Sequence, residues 1–201
     1  MTPPSVETPA ASCGGCLKAR IAEGLPETRK TLKGGWMSLA ALFFPGLLFG
    51  AGLLWLGRVH PDFAWLRQFS TWPWELWAIA VCGIIATIGG LLDWGFHRWV
   101  AKCKIGRRER NCELVALLMG GGPLFACMTG ASLAADPRPW LLPALAALLV
   151  TVTLICYDEF VFHLRRCGRL ETVCHRLLVF GNGLAWFAWA HWCFVRGGAH
   201  V

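Results

Sequence analysis

The segment at residues 157–176, YDEFVFHLRRCGRLETVCHR, joins two long apolar runs and repeats an earlier segment at residues 93–113, DWGFHRWVAKCKIGRRERNCE. In both segments an acidic residue lies four positions before a histidine where one apolar run ends. A short basic turn with the shared pattern Gly-Arg-x-Glu-x-x-Cys follows, and two ionisable residues four apart open the next run. The chain therefore contains an internal repeat whose shared residues are of the types that bind metal ions.

The composition is typical of a membrane protein, since 56% of the 201 residues are hydrophobic, 15% are charged and twelve are Trp. A hydrocarbon core of ~30 Å needs about 20 mostly apolar helical residues to cross it. Five runs qualify, at about residues 36–56, 75–97, 112–134, 140–163 and 174–195. We predict an all-α membrane protein with five transmembrane helices. An anchor helix precedes two repeated helical hairpins, residues 75–134 and 140–195, which form a four-helix bundle.

The distribution of basic residues predicts the orientation in the membrane. Most of the 19 Lys and Arg residues precede the first run or lie in the two basic turns. The positive-inside rule then places the N-terminus in the cytoplasm and the C-terminus outside, in a bacterial inner membrane or an equivalent one. Residues 1–35 lack the apolar core of a cleavable signal peptide. We expect them to form a mobile cytoplasmic tail with the motif Cys13-Gly-Gly-Cys16, before a transmembrane domain at residues 36–201.

The repeated segments predict a metal site. Residues four apart lie on one face of a helix, about one turn apart, so each pair presents its two side chains together. With the hairpins side by side, eight predicted ligands converge at the cytoplasmic end: Asp93, His97, Glu109, Glu113, Glu159, His163, Glu171 and His175. Carboxylates mixed with imidazoles are what helical bundles use to hold two metal ions. This ligand set favours two Fe ions, with Mn, Zn and Cu as alternatives, and with nearby Cys103, Cys112, Cys167 and Cys174 as further candidate ligands.

Other interpretations of these residues stay open. Glu109 and Glu171 could pair with neighbouring arginines at helix starts, where negative charge is favoured. His97 and His163 could face each other across a haem, although a haem would leave the carboxylates unexplained. On the predicted outer face, His60, Asp62, His191 and His200 are either a second metal site or scattered surface residues, and their spacing favours the latter.

The pattern Glu159-x3-His163-x11-His175 resembles the Asp-x3-His…His metal motif of a membrane subunit of particulate methane monooxygenase. The resemblance covers fewer than twenty residues, and the last gap differs. It implies that these three residues are metal ligands and does not establish membership of that family.

The function predicted from this site is a metal-dependent oxidoreductase that acts on a lipophilic small molecule entering from the lipid bilayer. A metal transporter or sensor, a haem-binding membrane subunit and a non-catalytic assembly subunit are the alternatives. A metal-delivery or redox partner would meet the site at the cytoplasmic face, where the Cys13–Cys16 motif also lies. The net charge of +7 does not indicate nucleic-acid binding, because most of the basic residues lie where the positive-inside rule places them, on the predicted cytoplasmic side.

Overall fold

The computed structural model describes residues 49–96, 111, 114–158, 160 and 169–198, and all regular secondary structure in these ranges is helical. The α-helices are α1 (Phe49–Val59), α2 (Trp74–Gly95), α3 (Gly122–Leu133), α4 (Leu141–Asp158) and α5 (Arg169–Ala190). Short 3-10 helices link them at Pro61–Arg67, Phe69–Thr71 and Arg138–Trp140. A π-helical turn, Ala116–Gly121, precedes α3, and another, His191–Val195, follows α5.

Three helical stretches are long and apolar enough to cross a membrane: Trp74–Gly95, Arg138–Tyr157 and Thr172–Val195. They coincide with the second, fourth and fifth predicted spans. The third predicted span contains a shorter apolar helix, Leu118–Leu133. For the first, the described residues begin at Phe49, so residues 36–48 lie outside them, as does the predicted tail at residues 1–35. The prediction of an all-α protein is thus confirmed for the described residues, and three helices could cross a membrane by length and composition. The five spans and the four-helix bundle stay predictions.

Helices α2 and α5 pack antiparallel over their full length and form the most extensive helix contact among the described residues. Two glycines allow their backbones to approach closely. A Cβ added at Gly89 would lie 2.8 Å from the carbonyl oxygen of Cys174, and one added at Gly181 would lie 2.8 Å from that of Cys82. Small residues of this kind are the usual means of close helix packing in membranes. The glycines therefore fix which residues of α2 and α5 face each other.

Helix α4 packs against α3 and the π-helical turn before it. Gly120 in that turn admits Thr151, because an added Cβ would lie 3.1 Å from the Thr151 Cα. The sequence Gly120-Gly121-Gly122-Pro123 predicts a loosened helix, and the π-helical turn confirms this. Pro123 lacks the N–H that would continue the α-helical ladder. Among the described residues, α2 thus packs mainly against α5, and α3 mainly against α4. These main contacts join helices from different predicted hairpins.

The largest buried side chains gather at the end of the α2–α5 pair where α2 begins, which we call the Glu75 end. Trp189 is fully buried there, and its indole Nε1 donates to Ser132 Oγ at 3.0 Å. Trp192 and Leu76 lie in the same cluster, together with Phe63 from the 3-10 helix after α1. This cluster joins α1, α2, α3, α4 and α5. In contrast, only 11% of the apolar stretch that includes α4 is buried, against 44% of the apolar stretch of α2.

Replacing Ser132 by Ala is expected to lower the free energy of unfolding by about 1–3 kcal/mol, because the Trp189 indole N–H would be left without its acceptor in a buried place. The measurement is unfolding in detergent followed by circular dichroism. Thr153→Ala is the control, since the exposed Thr153 hydroxyl only donates to Leu149 in its own helix at 2.8 Å. Equal stability of the two variants would contradict a role for this inter-helix hydrogen bond.

Candidate metal centre

Asp93 and His175 lie opposite each other at the second end of the α2–α5 pair, which we call the Asp93 end. Asp93 belongs to the last turn of α2 and His175 to the second turn of α5. Their Oδ2 and Nε2 atoms are 3.4 Å apart, and the side chains are only 19% and 16% exposed. Gly89 lies one turn before Asp93 and Cys174 precedes His175, so the close approach of Gly89 to Cys174 brings the two side chains near each other. The structure thus joins one predicted ligand from each repeat.

The separation of these atoms suits two ligands of one metal ion. Imidazole nitrogen and carboxylate oxygen bind zinc at roughly 2.1 Å, so two ligands are about 3.0 Å apart at a right angle and about 3.4 Å apart at the tetrahedral angle. A hydrogen bond from N–H to oxygen is shorter, between about 2.7 and 3.2 Å. The distance of 3.4 Å from Asp93 to His175 is within the range of an ion pair, and it is also compatible with two ligands of one metal ion.

The structure does not describe the side chains of the other six predicted ligands. His97, Glu109, Glu113, Glu159 and His163 lie outside the described residues, as do Cys103, Cys112 and Cys167, and for Glu171 only the backbone is described. Within the described ranges, no three His, Cys, Asp or Glu side chains are grouped so that they could hold a metal ion. Cys174 is buried beside His175 but does not complete such a group. The dinuclear site thus stays a prediction, with one described pair of its members.

A second carboxylate–imidazole pair closes the Glu75 end of the same two helices. Glu75 is fully buried, and its Oε1 is 2.8 Å from His191 Nδ1 and 3.0 Å from Arg196 Nε. Because 2.8 Å is a normal hydrogen-bond length, the His191 ring N–H donates to the carboxylate here. Glu75 and Asp93 are 18 residues apart on α2, or about five turns and ~27 Å, so they share one face of the helix. The two pairs therefore mark the two ends of the apolar part of α2.

Sequence reasoning missed the Glu75 cluster, because its members are 116 and 121 residues apart and show no local spacing. The available signal was a lone acid within an apolar run, which is costly at membrane depth and therefore has a partner. Of the outer residues weighed as a second metal site, His191 pairs with Glu75, and His60 approaches Asp62 at 3.8 Å with both side chains largely exposed. His200 lies outside the described residues.

An apolar groove of about 280 Å³ runs between α2 and α5. The groove includes Gly181, in the glycine-rich middle of the fifth predicted span. Its lining includes Arg176, the residue after His175 in the sequence. The full lining consists of Cys82, Ile85, Val173, Arg176, Leu177, Phe180, Gly181 and Leu184. In a bilayer, such a surface would accommodate an acyl chain or another apolar molecule.

The fold and the site define an α-helical protein with three helices able to cross a membrane and a carboxylate–imidazole pair at each end of its main helix contact. Comparison with known proteins gives no significant match, whether to a family model, a curated sequence or a solved structure.

Proposed function

We propose that this chain is an integral membrane protein that binds two metal ions at the Asp93 end of a four-helix bundle and uses them to oxidise a lipophilic substrate. The observation that carries the proposal is the largely buried Asp93–His175 pair, whose 3.4 Å separation is compatible with two ligands of one ion. The remaining predicted ligands come from the same repeated segments, and carboxylate–imidazole sets of this size hold two metals in other bundles.

The ligand chemistry supports Fe first and Mn, Zn or Cu after it. Oxygen ligands combined with imidazole suit Fe and Mn, whereas thiolates would favour Zn or Cu. The groove between α2 and α5 supports a lipophilic substrate, because its lining is mostly apolar. In this proposal the metal ions supply the redox chemistry. The chain supplies the ligands and a dry surface for the substrate, and a redox or metal-delivery partner meets it at the cytoplasmic face.

The experiment that tests metal binding is elemental analysis of protein purified without chelators. We expect about two metal ions per chain. Optical spectroscopy of the same sample separates haem, which has an intense Soret band, from non-haem metal, which does not. Protein that contains no metal, or that contains one haem per chain, would contradict the proposal.

We further propose that the N-terminus and the Asp93 end face the cytoplasm and the Glu75 end faces outside. The support is the excess of Lys and Arg before the first span and in the two basic turns. Reporter fusions test it: a fluorescent protein after residue 110 should fold and fluoresce, and an alkaline phosphatase after residue 136 should be active. The opposite pattern would reverse the orientation and place the metal site outside.

A further inference from the structure

We propose that Arg196, held in place by Glu75 and flanked by His191, binds the phosphate group of a phospholipid headgroup. The proposal is independent of the metal site, which lies at the other end of α2 and α5. It needs only that these two helices cross a membrane, as their length and composition allow.

The cluster lies where a phospholipid phosphate would be found. Glu75 is the second residue of the apolar stretch Trp74–Gly95, and Arg196 directly follows the stretch Thr172–Val195. Both therefore lie at the boundary between the hydrocarbon core and the headgroups. The ring of Trp74, which is 56% exposed, lies 5.3 Å from the His191 ring. An exposed indole at this point is typical of the membrane–water interface.

The geometry leaves the phosphate-binding part of Arg196 available. Only its Nε donates to Glu75, and within the described residues its two terminal nitrogens donate to no protein acceptor. The Arg196 side chain is 43% exposed. Guanidinium groups bind phosphate oxygens with two parallel hydrogen bonds, and they do so best when the side chain is already fixed. The buried Glu75 carboxylate fixes it here, which lowers the conformational entropy lost on binding.

A variant of Glu75 distinguishes two explanations of phosphate binding: orientation of Arg196 by Glu75, and simple charge attraction between Arg196 and the phosphate. Its negative charge opposes the binding of an anion, so a purely electrostatic attraction would become stronger in Glu75→Gln. If Glu75 acts by orienting Arg196, the same variant binds the phosphate more weakly, because a neutral amide holds the guanidinium less firmly than a carboxylate does. The two explanations thus predict opposite signs.

The experiment is native mass spectrometry of the full chain in detergent with added phosphatidylglycerol. We expect Arg196→Gln and Glu75→Gln to retain roughly ten-fold less lipid than the unchanged protein, the loss typical of a charge-assisted hydrogen bond. Arg138→Gln serves as the control and should retain lipid fully, because Arg138 is an exposed arginine in the 3-10 helix before α4. Circular dichroism verifies that each variant is folded. Arg196 is on the surface, so its variant keeps the test valid if Glu75→Gln unfolds.

Two further probes distinguish the source of the phosphate. Diacylglycerol with the same acyl chains should not be retained, and inorganic phosphate should not displace phosphatidylglycerol. Equal retention of diacylglycerol, or full retention by Arg196→Gln, would overturn the proposal. Displacement by inorganic phosphate would overturn the lipid source, and tighter binding by Glu75→Gln would overturn the positioning role of Glu75.

Discussion

Protein carrying Asp93→Asn or His175→Gln is expected to lose most of its bound metal. In the proposed site, each change removes one ligand from a pair whose side chains are less than one-fifth exposed, so a water molecule is poorly placed to take over the vacant coordination position. The loss of affinity should exceed the roughly 10- to 100-fold that follows when only a hydrogen-bond partner of a ligand is changed. Elemental analysis after dialysis against increasing chelator concentrations measures the effect in each variant.

The matched control is the second Asp–His approach in the chain. His60 and Asp62 lie 3.8 Å apart at 44% and 52% exposure, outside the predicted site. Metal content in His60→Gln and Asp62→Asn should equal that of the unchanged protein. If Asp93→Asn and His175→Gln also retain their metal, the pair only links α2 to α5, and its role is structural.

Replacing Gly181 by Ala is expected to lower the free energy of unfolding by about 1–3 kcal/mol, the usual cost of overpacking. Its new Cβ would lie 2.8 Å from the carbonyl oxygen of Cys82 and 2.9 Å from the Ala86 Cβ. Because the first of these neighbours is backbone, the contact is relieved only if α2 and α5 move apart. Gly183→Ala, two residues away in the same helix, meets nothing within 4 Å and should gain up to about 1 kcal/mol from helix propensity.

Unfolding in detergent by a denaturant series compares the two variants directly. Equal midpoints would contradict the close packing at Gly181. Gly89→Ala extends the test to the site, because its Cβ would lie 2.8 Å from the carbonyl oxygen of Cys174. Gly89 is one turn before Asp93, and Cys174 precedes His175. This variant should therefore lose metal as well as stability, whereas Gly183→Ala should lose neither.

The sequence predicted that Asp93 and His175 converge with six other residues, but it did not indicate that these two lie directly opposite each other. Each was selected by local spacing at the end of an apolar run, and such spacing carries no information on which helices are neighbours. The neighbours are set by Gly89 and Gly181, whose role depends on what lies opposite them. In the structure Gly181 lines the groove and is also closely packed, while Gly183 is unpacked.

Helix positions were predictable because apolar length is a property of consecutive residues. Three glycines and Pro123 predicted a bent or loosened helix at the start of α3, but they did not predict that its form would be a π-helical turn. The positions of the tryptophans were not predictable, since a tryptophan side chain occurs both at the membrane–water interface and in a buried core. Trp74 and Trp77 are about half exposed, as expected at an interface, whereas Trp189 and Trp192 are buried in the core. The difference comes from tertiary contacts that no local pattern contains.

In the proposed site, Asp93 and His175 coordinate the same metal ion. Anomalous X-ray diffraction from crystals of the metal-loaded protein, measured at the absorption edge of the metal found by elemental analysis, tests it most directly. We expect an anomalous peak roughly 2.1 Å from both Asp93 Oδ2 and His175 Nε2, with a second peak nearby for the second ion. Metal-loaded crystals without a peak between these two side chains would contradict the claim.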